Sequence, residues 1–469
     1  MARKRVDILL EDITIEAVAA EGKAIAHSPD GQVVFVPFAV PGDVVDIKVF
    51  KKKKNYLEGT IARIKTPSKD RLEPFCKHFG ICGGCKWQPL PYPMQLEAKR
   101  QQVYDQLVRI GHLDVPEILP TLPSEKTCFY RNKLEFTASD RRWILPQEDP
   151  EGLSDDQRCG LGFHVGKFFD KVLDLEKCWL QPEPSNAIRL FIRKYAVEHG
   201  IPFYDIRNNT GVFRTVFVRT TESGATMVIV CFACEFEERK AFLDSIAEAF
   251  PEITSLYFII NSKLNDSISD QTCILYKGED SIYEEMEGLR FRIGPKSFYQ
   301  TNTLQAFNLY KVARNFADLS GREIVYDLYT GTGTIAQFVS RQAAKVIGIE
   351  YVPEAIEDAR ANALANGINN CAFFAGDMKD VLNERFIEEN GRPDVIIADP
   401  PRAGMHPDVV KVILEAAPSR IVYVSCNPAS QARDLAMMSE YYSIDAVQPV
   451  DMFPHTQHVE NVCKLSRKK

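Results

Sequence analysis

Ile324-Val325-Tyr326-Asp327-Leu328-Tyr329, running into Thr330-Gly331-Thr332-Gly333-Thr334-Ile335-Ala336, decides how the second half of this chain folds. An apolar, β-branched run broken by a pair of glycines reads as a buried strand entering a tight loop that opens a helix. Upstream, Leu304 to about Leu319 has helical periodicity. Downstream, Lys345-Val346-Ile347-Gly348-Ile349-Glu350, Val395-Ile396-Ile397-Ala398-Asp399 and Ile421-Val422-Tyr423-Val424-Ser425-Cys426 repeat the strand pattern, with a helix from Pro353 to Asn366 between the first two. Continuous apolar strands alternating with helices predict a parallel, doubly wound sheet, whose ligands bind at the carboxyl ends of the strands.

Candidate chemistry falls at those ends. Glu350 closes its strand 19 positions after Gly331, the spacing of G-x-G-x-x-A with an acidic ribose partner, which admits a dinucleotide. Asp327, just before the loop, would repel a pyrophosphate but suits S-adenosylmethionine, which carries a cationic sulfonium and an amine. Asp399-Pro400-Pro401-Arg402 places a second carboxylate on a rigid turn. Cys426 ends an apolar run stopped by Asn427-Pro428; alone, such a cysteine reads first as a buried structural thiol.

The 469 residues have room for about three domains, and the net charge of −7 argues against a generally cationic nucleic-acid binder. No run approaches the ~18 apolar residues of a membrane span, so a soluble cytoplasmic protein with no membrane partner is expected. In that compartment twelve cysteines point to core thiols, metal ligands or nucleophiles rather than disulfides.

Residues 1–66 read as short strands, at Val6-Asp7-Ile8, Val33 to Val36, Val44 to Val49 and Glu58 to Ile64, separated by glycine and proline turns. Twelve Lys and Arg stand against ten Asp and Glu over residues 1–70, so positive charge concentrates here, above all in Lys51-Lys52-Lys53-Lys54. With Val40-Pro41-Gly42-Asp43, this segment resembles a TRAM domain, a five-stranded OB-like barrel found on RNA-modifying enzymes, in which basic loops track a nucleic-acid backbone.

Cys76, Cys82 and Cys85 then form C-x5-C-x2-C around Gly80, Gly83 and Gly84, glycines that let three thiolates converge. Cys178 is the candidate fourth ligand, in competition with Cys128, Cys159, Cys231 and Cys234. Four thiolates suit zinc or an iron–sulfur cluster, and the spacing does not choose. Further on, Tyr130-Arg131-Asn132-Lys133 mixes aromatic and cationic groups able to stack bases and hold phosphates.

Taken together, C-x5-C-x2-C with a distant Cys178-x-Leu180-x-Pro182, Phe298-x-Gln300-x-Asn302, Asp399-Pro400-Pro401-Arg402, Ser425-Cys426-Asn427-Pro428 and His458-Val459-Glu460-Asn461-Val462 resemble, in order and over nearly the whole chain, the RNA uracil-5-methyltransferases. The resemblance implies a multidomain protein: a TRAM barrel (1–66), a central α+β domain with a 4Fe-4S cluster on Cys76, Cys82, Cys85 and Cys178 (67–300), and a Rossmann-like α/β class I methyltransferase domain (301–469). It further implies S-adenosylmethionine as methyl donor. Cys426 would be the nucleophile, held as thiolate by its polar strand end, and Glu460 the base. Gln300, Tyr329, Thr334, Glu350, Asp377 and Asp399 would line the cofactor and base pocket, with Arg131 nearby. Cluster-bearing members of the family favour 23S ribosomal RNA, with transfer RNA as the alternative. The chain would act as a monomer. An NAD-dependent oxidoreductase and a non-catalytic RNA-binding protein are the readings from other classes.

Overall fold

The computed structural model describes residues 8–166 and 168–469; the expected strand positions Val6 and Asp7 lie outside them. Residues Ile8–Thr66 form one six-stranded sheet, mostly antiparallel and curled around Ile13, Ala26, Val34, Val36, Val45, Ile47 and Val49, each buried. Two strands here, Ala17–Val18 and Lys23–His27, had no clear signal in the sequence. Val44–Lys52 is buried from Val45 to Ile47 and again at Val49, and turns outward at Lys48 and Phe50. It carries Lys51 and Lys52 out of the barrel on a strand rather than a loop, leaving Lys53 and Lys54 in the turn.

The middle of the chain builds a seven-stranded mixed sheet from Lys133 to Gly278, backed by the helices Ser185–Glu198 and Arg239–Ala249. Two pieces placed in this region by sequence pack elsewhere. The helix Tyr92–Tyr104 and the residues after it put Val103, Leu107, Leu113 and Ile118 onto a face of the C-terminal sheet, beside Tyr326 and Leu435. The hairpin Ile282–Met286 with Leu289–Ile293 joins the core on the other face, with Ala306, Leu309 and Val325.

The C-terminal sheet has seven strands, numbered here in chain order: β1 (Ile324–Leu328), β2 (Lys345–Glu350), β3 (Cys371–Ala375), β4 (Val395–Ala398), β5 (Arg420–Ser425), β6 (Tyr442–Val450) and β7 (Glu460–Arg467). Their order is β3-β2-β1-β4-β5-β7-β6. The first five are parallel, as the continuous apolar runs require, but β7 enters antiparallel between β5 and β6, so the all-parallel expectation is corrected to a mixed sheet. The reversal matters because it brings the first residue of β7 to the edge where β1 to β5 end.

Residues 451–459, between β6 and β7, are tied to earlier parts of the chain. The amides of Lys86 and Trp87 donate to the His455 carbonyl at 2.9 and 3.0 Å. Gln95 accepts from the His455 amide at 2.8 Å, Tyr130 donates to the Pro454 carbonyl at 3.2 Å and Asn302 to the Met452 carbonyl at 3.0 Å. Lys99 and Asp451, both fully buried, form an ion pair, and Lys99 also donates to the Phe453 carbonyl at 3.1 Å. A buried pair is costly to break from one side, since the remaining charge is left uncompensated. This strap is therefore held as firmly as a core element.

Candidate active site

The carboxyl ends of the C-terminal strands open into a cavity of about 1670 Å³. Tyr329 follows β1, Glu350 ends β2, Asp377 lies just beyond β3, Asp399 follows β4, Cys426 follows β5 and Glu460 begins β7; all six line the cavity. Ser425 is in register with Asn461, so Cys426 and Glu460 emerge as neighbours from antiparallel strands. Gln300 reaches the same space from the loop before the helix Thr303–Ala317, with its carbonyl held by the Asn132 side chain at 2.9 Å. Arg131 also lines it, its guanidinium 5.8 Å from the centre of the Phe453 ring.

The glycine loop is built as its sequence demands. Gly331 and Gly333 have φ of +55° and +77°, and Tyr329 adopts +65°, a rare conformation for a residue with a side chain. The Gly331 amide donates to the Glu350 carboxylate at 3.2 Å, which joins the loop to the end of β2. Two expectations are corrected here. Thr334 does not line the cavity: it is buried at the start of the helix Thr334–Ser340, with its hydroxyl 3.3 Å from that of Thr332. Asp327 does not face a ligand either. It is fully buried beneath the loop, accepting from the Thr330 hydroxyl at 2.5 Å and the Ala336 amide at 2.9 Å. An amide near a helix N-terminus, the usual seat of a pyrophosphate, is thus already occupied by a carboxylate, which disfavours a dinucleotide.

The acid–base character of the site follows from burial. Glu460, 6% exposed, has its carboxyl pushed well above the usual range by burial and by the neighbouring Asp399. Burial lifts Asp399 to about 7. The Cys426 thiol is pushed up to about 11 by burial and by the carboxyls of Glu460 and Asp399, against the pull of the Arg402 guanidinium. The expected resting thiolate is therefore corrected to a thiol: two carboxyls face the sulfur where the sequence suggested only a polar strand end. Since only the thiolate alkylates, the rate at which iodoacetamide modifies Cys426, followed by peptide mass spectrometry, should rise roughly tenfold per pH unit from 7 towards 11. A rate that levels off near pH 7 would show a thiolate.

His458, two residues before Glu460, also lines the cavity, and burial with the cations Arg402, Lys99, Lys86 and Arg131 lowers its imidazole to about 4, so it is neutral at pH 7. The sequence gives no role to His458, Phe453, Thr456, Met378 or Asp358, all of them lining residues; the signal for His458 was its place in the motif His458-Val459-Glu460-Asn461-Val462.

Cys76, Cys82, Cys85 and Cys178 together line a second cavity of about 420 Å³, and Cys128, Cys159, Cys231 and Cys234 do not. Burial lifts Cys85 to about 12, with the thiols of Cys82, Cys178 and Cys76 adding to the rise, so the four sense one another. Among the described residues no group of three or more His, Cys, Asp or Glu side chains is arranged to hold a metal ion.

A mixed sheet with one antiparallel strand inserted among six that run the same way, a glycine loop and an acid ending β2 define an S-adenosylmethionine-dependent methyltransferase of class I. A family model described as tRNA (Uracil-5-)-methyltransferase matches residues 279–468, and a TRAM domain model matches residues 10–62. An RNA methyltransferase of Bacteroides thetaiotaomicron is 59% identical over 96% of this chain and 99% of its own length; one of Porphyromonas gingivalis is 58% identical over 97% and 99%. The crystal structure of a Pyrococcus abyssi tRNA (uracil-54, C5)-methyltransferase in complex with S-adenosyl-L-homocysteine superposes with a TM-score of 0.72 at 27% identity, covering 98% of this chain and all of that one. The chain belongs to the RNA uracil-5-methyltransferase family and is an S-adenosylmethionine-dependent RNA methyltransferase carrying a TRAM domain.

Proposed function

We propose that the protein methylates carbon 5 of a specific uridine in RNA, 23S ribosomal RNA in the first place, through a covalent adduct between Cys426 and carbon 6 of the base. The observation that carries this reading is the convergence of Cys426, Glu460 and Asp399 in the cavity that also holds Glu350 and Gln300. Carbon 5 of uracil is a poor nucleophile until a group adds at carbon 6, and sulfur is suited to that addition. The Cys426 sulfur bonds to carbon 6 as its proton passes to Asp399, which burial poises near neutrality. Carbon 5 thereby gains enolate character. S-adenosylmethionine supplies an electrophilic methyl group to it. Glu460, once ionised, is a strong base for the same reason that it resists ionisation, and it takes the carbon 5 proton. The carbon–sulfur bond then breaks and the thiolate leaves. Glu350 and Asp377 suit the ribose and adenine side of the donor, Tyr329 its methionine part, and Gln300 the target base. A paired uracil is out of reach of Cys426, so the target is extruded or unpaired, with the basic edge of the barrel holding flanking RNA.

Cys76, Cys82, Cys85 and Cys178 would hold a 4Fe-4S cluster. The four cysteines line one cavity, a thiolate set that would suit zinc or a cluster, and the resemblance to the cluster-bearing members of the family favours the cluster. Protein purified without oxygen should be brown, with visible absorbance that bleaches on reduction; a colourless, zinc-loaded protein would refute the cluster. The four-thiol site also favours ribosomal over transfer RNA, following the family trait. Mapping 5-methyluridine in RNA from a deletion strain tests the target: loss at a 23S position, restored by the intact protein, is expected. Loss confined to transfer RNA would overturn the assignment.

A further inference from the structure

Residues 294–302, which bring Gln300 into the catalytic cavity, form no helix or strand, so side chains hold much of this segment in place. Asn132 holds two of its carbonyls. The Asn132 amide donates to the Thr301 carbonyl at 2.8 Å, and Nδ2 of its side chain donates to the Gln300 carbonyl at 2.9 Å. Asn132 is itself tied to the central sheet, its carbonyl accepting from the Thr220 amide at 2.8 Å. The same Nδ2 also donates to the Thr303 hydroxyl at 2.9 Å, and that hydroxyl donates to the Glu284 carboxylate at 3.0 Å.

Glu284 is out of place by its pattern. On the strand Ile282–Met286, Ile282, Glu284 and Met286 alternate onto the buried face, and Glu284 is 1% exposed between two core side chains. Among the described residues no cation forms an ion pair with it; besides Thr303, the Glu222 amide donates to it, 3.3 Å from both oxygens. Burial pushes its carboxyl up, and the hydrogen bonds from Thr303 and the Glu222 amide pull it back. An apolar residue would fill this position without the cost of desolvating a charge. What a carboxylate adds is that it only accepts. With Glu284 accepting, the Thr303 proton is committed to it, and the Thr303 oxygen must accept from its other neighbour. Asn132 therefore turns Nδ2 towards Thr303, and the same nitrogen reaches the Gln300 carbonyl. Were the Asn132 amide reversed, its oxygen would face that carbonyl and the bond would be lost.

We propose that Glu284 is a positioning residue for Gln300: it sets the direction of the hydrogen-bond relay through Thr303 and Asn132, and so fixes the stretch of backbone from which Gln300 meets the target base. The assignment rests on the proposed function for what Gln300 touches. It gives the hairpin that carries Glu284 a part in the reaction beyond filling the core.

The test is a double-mutant cycle on the full-length, anaerobically purified protein, read as single-turnover methylation of an unmodified 23S transcript, with a transfer-RNA transcript in parallel. Glu284→Gln keeps the size of the side chain but offers N–H groups, which lets Thr303 and Asn132 reverse. At saturating RNA and S-adenosylmethionine it should slow methylation about tenfold, the scale of a small misplacement of a pocket group, with both affinities within about twofold of the parent's. Combined with Gln300→Ala it should add no more than about a further twofold, because a residue that acts through Gln300 has nothing left to act on. Losses that multiply in the double variant would show a general structural role and overturn the assignment, as would an unslowed Glu284→Gln or Gln300→Ala. Thr303→Val breaks the relay without touching Glu284 and should behave alike; it decides should Glu284→Gln fail to fold. Trapping of the parent on 5-fluorouridine RNA keeps the two levels apart. A Cys426 adduct together with a multiplying cycle removes the relay and leaves the proposed function standing. No adduct with either transcript overturns the proposed function and the relay with it.

Discussion

RNA containing 5-fluorouridine becomes covalently fixed to the protein in the presence of S-adenosylmethionine, and Cys426→Ala abolishes the adduct. Fluorine at carbon 5 cannot leave as a cation, so a base that expects a proton there finds none, and the reaction halts with sulfur still bonded to carbon 6. With natural substrate, removing the nucleophile should cost on the order of 10⁴-fold or more in turnover, the scale seen when an attacking group is deleted from an otherwise intact site. The variant isolates chemistry from folding. Cys426 is only partly buried at the mouth of a strand, so truncating it leaves the core beneath untouched. Calorimetric S-adenosylmethionine affinity equal to the parent's verifies this, and an undiminished adduct would remove Cys426 from the mechanism.

Glu460→Gln separates the two halves of the reaction. The amide keeps the size of the carboxyl but cannot accept the carbon 5 proton. The methylated adduct on natural RNA should therefore accumulate, while turnover falls by about 10²- to 10⁴-fold, the usual worth of a positioned base. Gel mobility of a denatured protein–RNA species measures this directly, and normal turnover would exclude Glu460 as the base. Stability should move the other way. Because burial raises the folded-state pKa of Glu460 above its unfolded value, the folded state is favoured at low pH and loses that advantage as pH rises from the unfolded pKa towards the folded one. Gln carries no such penalty, so at pH 7 the variant should melt no lower than the parent.

What the sequence disclosed and what it withheld divide along physical lines. Strand ends, the glycine loop and the acid ending β2 are local features, encoded by runs of apolar residues and by the residues that interrupt them, and the structure places Glu350, Asp399 and Cys426 at one edge accordingly. The insertion of β7 is not local: Glu460–Arg467 reads as a strand in any orientation, and only its pairing with both β5 and β6 reverses it. The protonation of Cys426 was hidden for the same reason, since its two carboxyl neighbours arrive from β4 and β7. Asp327 shows the opposite error. Its position before the loop was legible, but its burial under Thr330 and Ala336 turned an apparent ligand contact into a support. The packing of Val103 and Leu107 on the C-terminal sheet was likewise unreadable, because a mixed polar and apolar helix gives no hint of which distant surface it will cover.

The strap at 451–459 limits how this chain could be rearranged over evolutionary time. The residues that fix the approach to Glu460 belong to Lys86, Trp87, Gln95, Lys99 and Tyr130, so a recombination joint placed between them and the catalytic sheet would separate a base from its bearings. The barrel forms a core of its own up to Thr66, yet its Val40 packs with Trp87 and Leu90 and its fully buried Asp43 pairs with Arg71. A joint at the barrel's border would strip Val40 and the buried Asp43 of their partners, so the barrel, the cysteine segment and the catalytic sheet must be inherited as a unit.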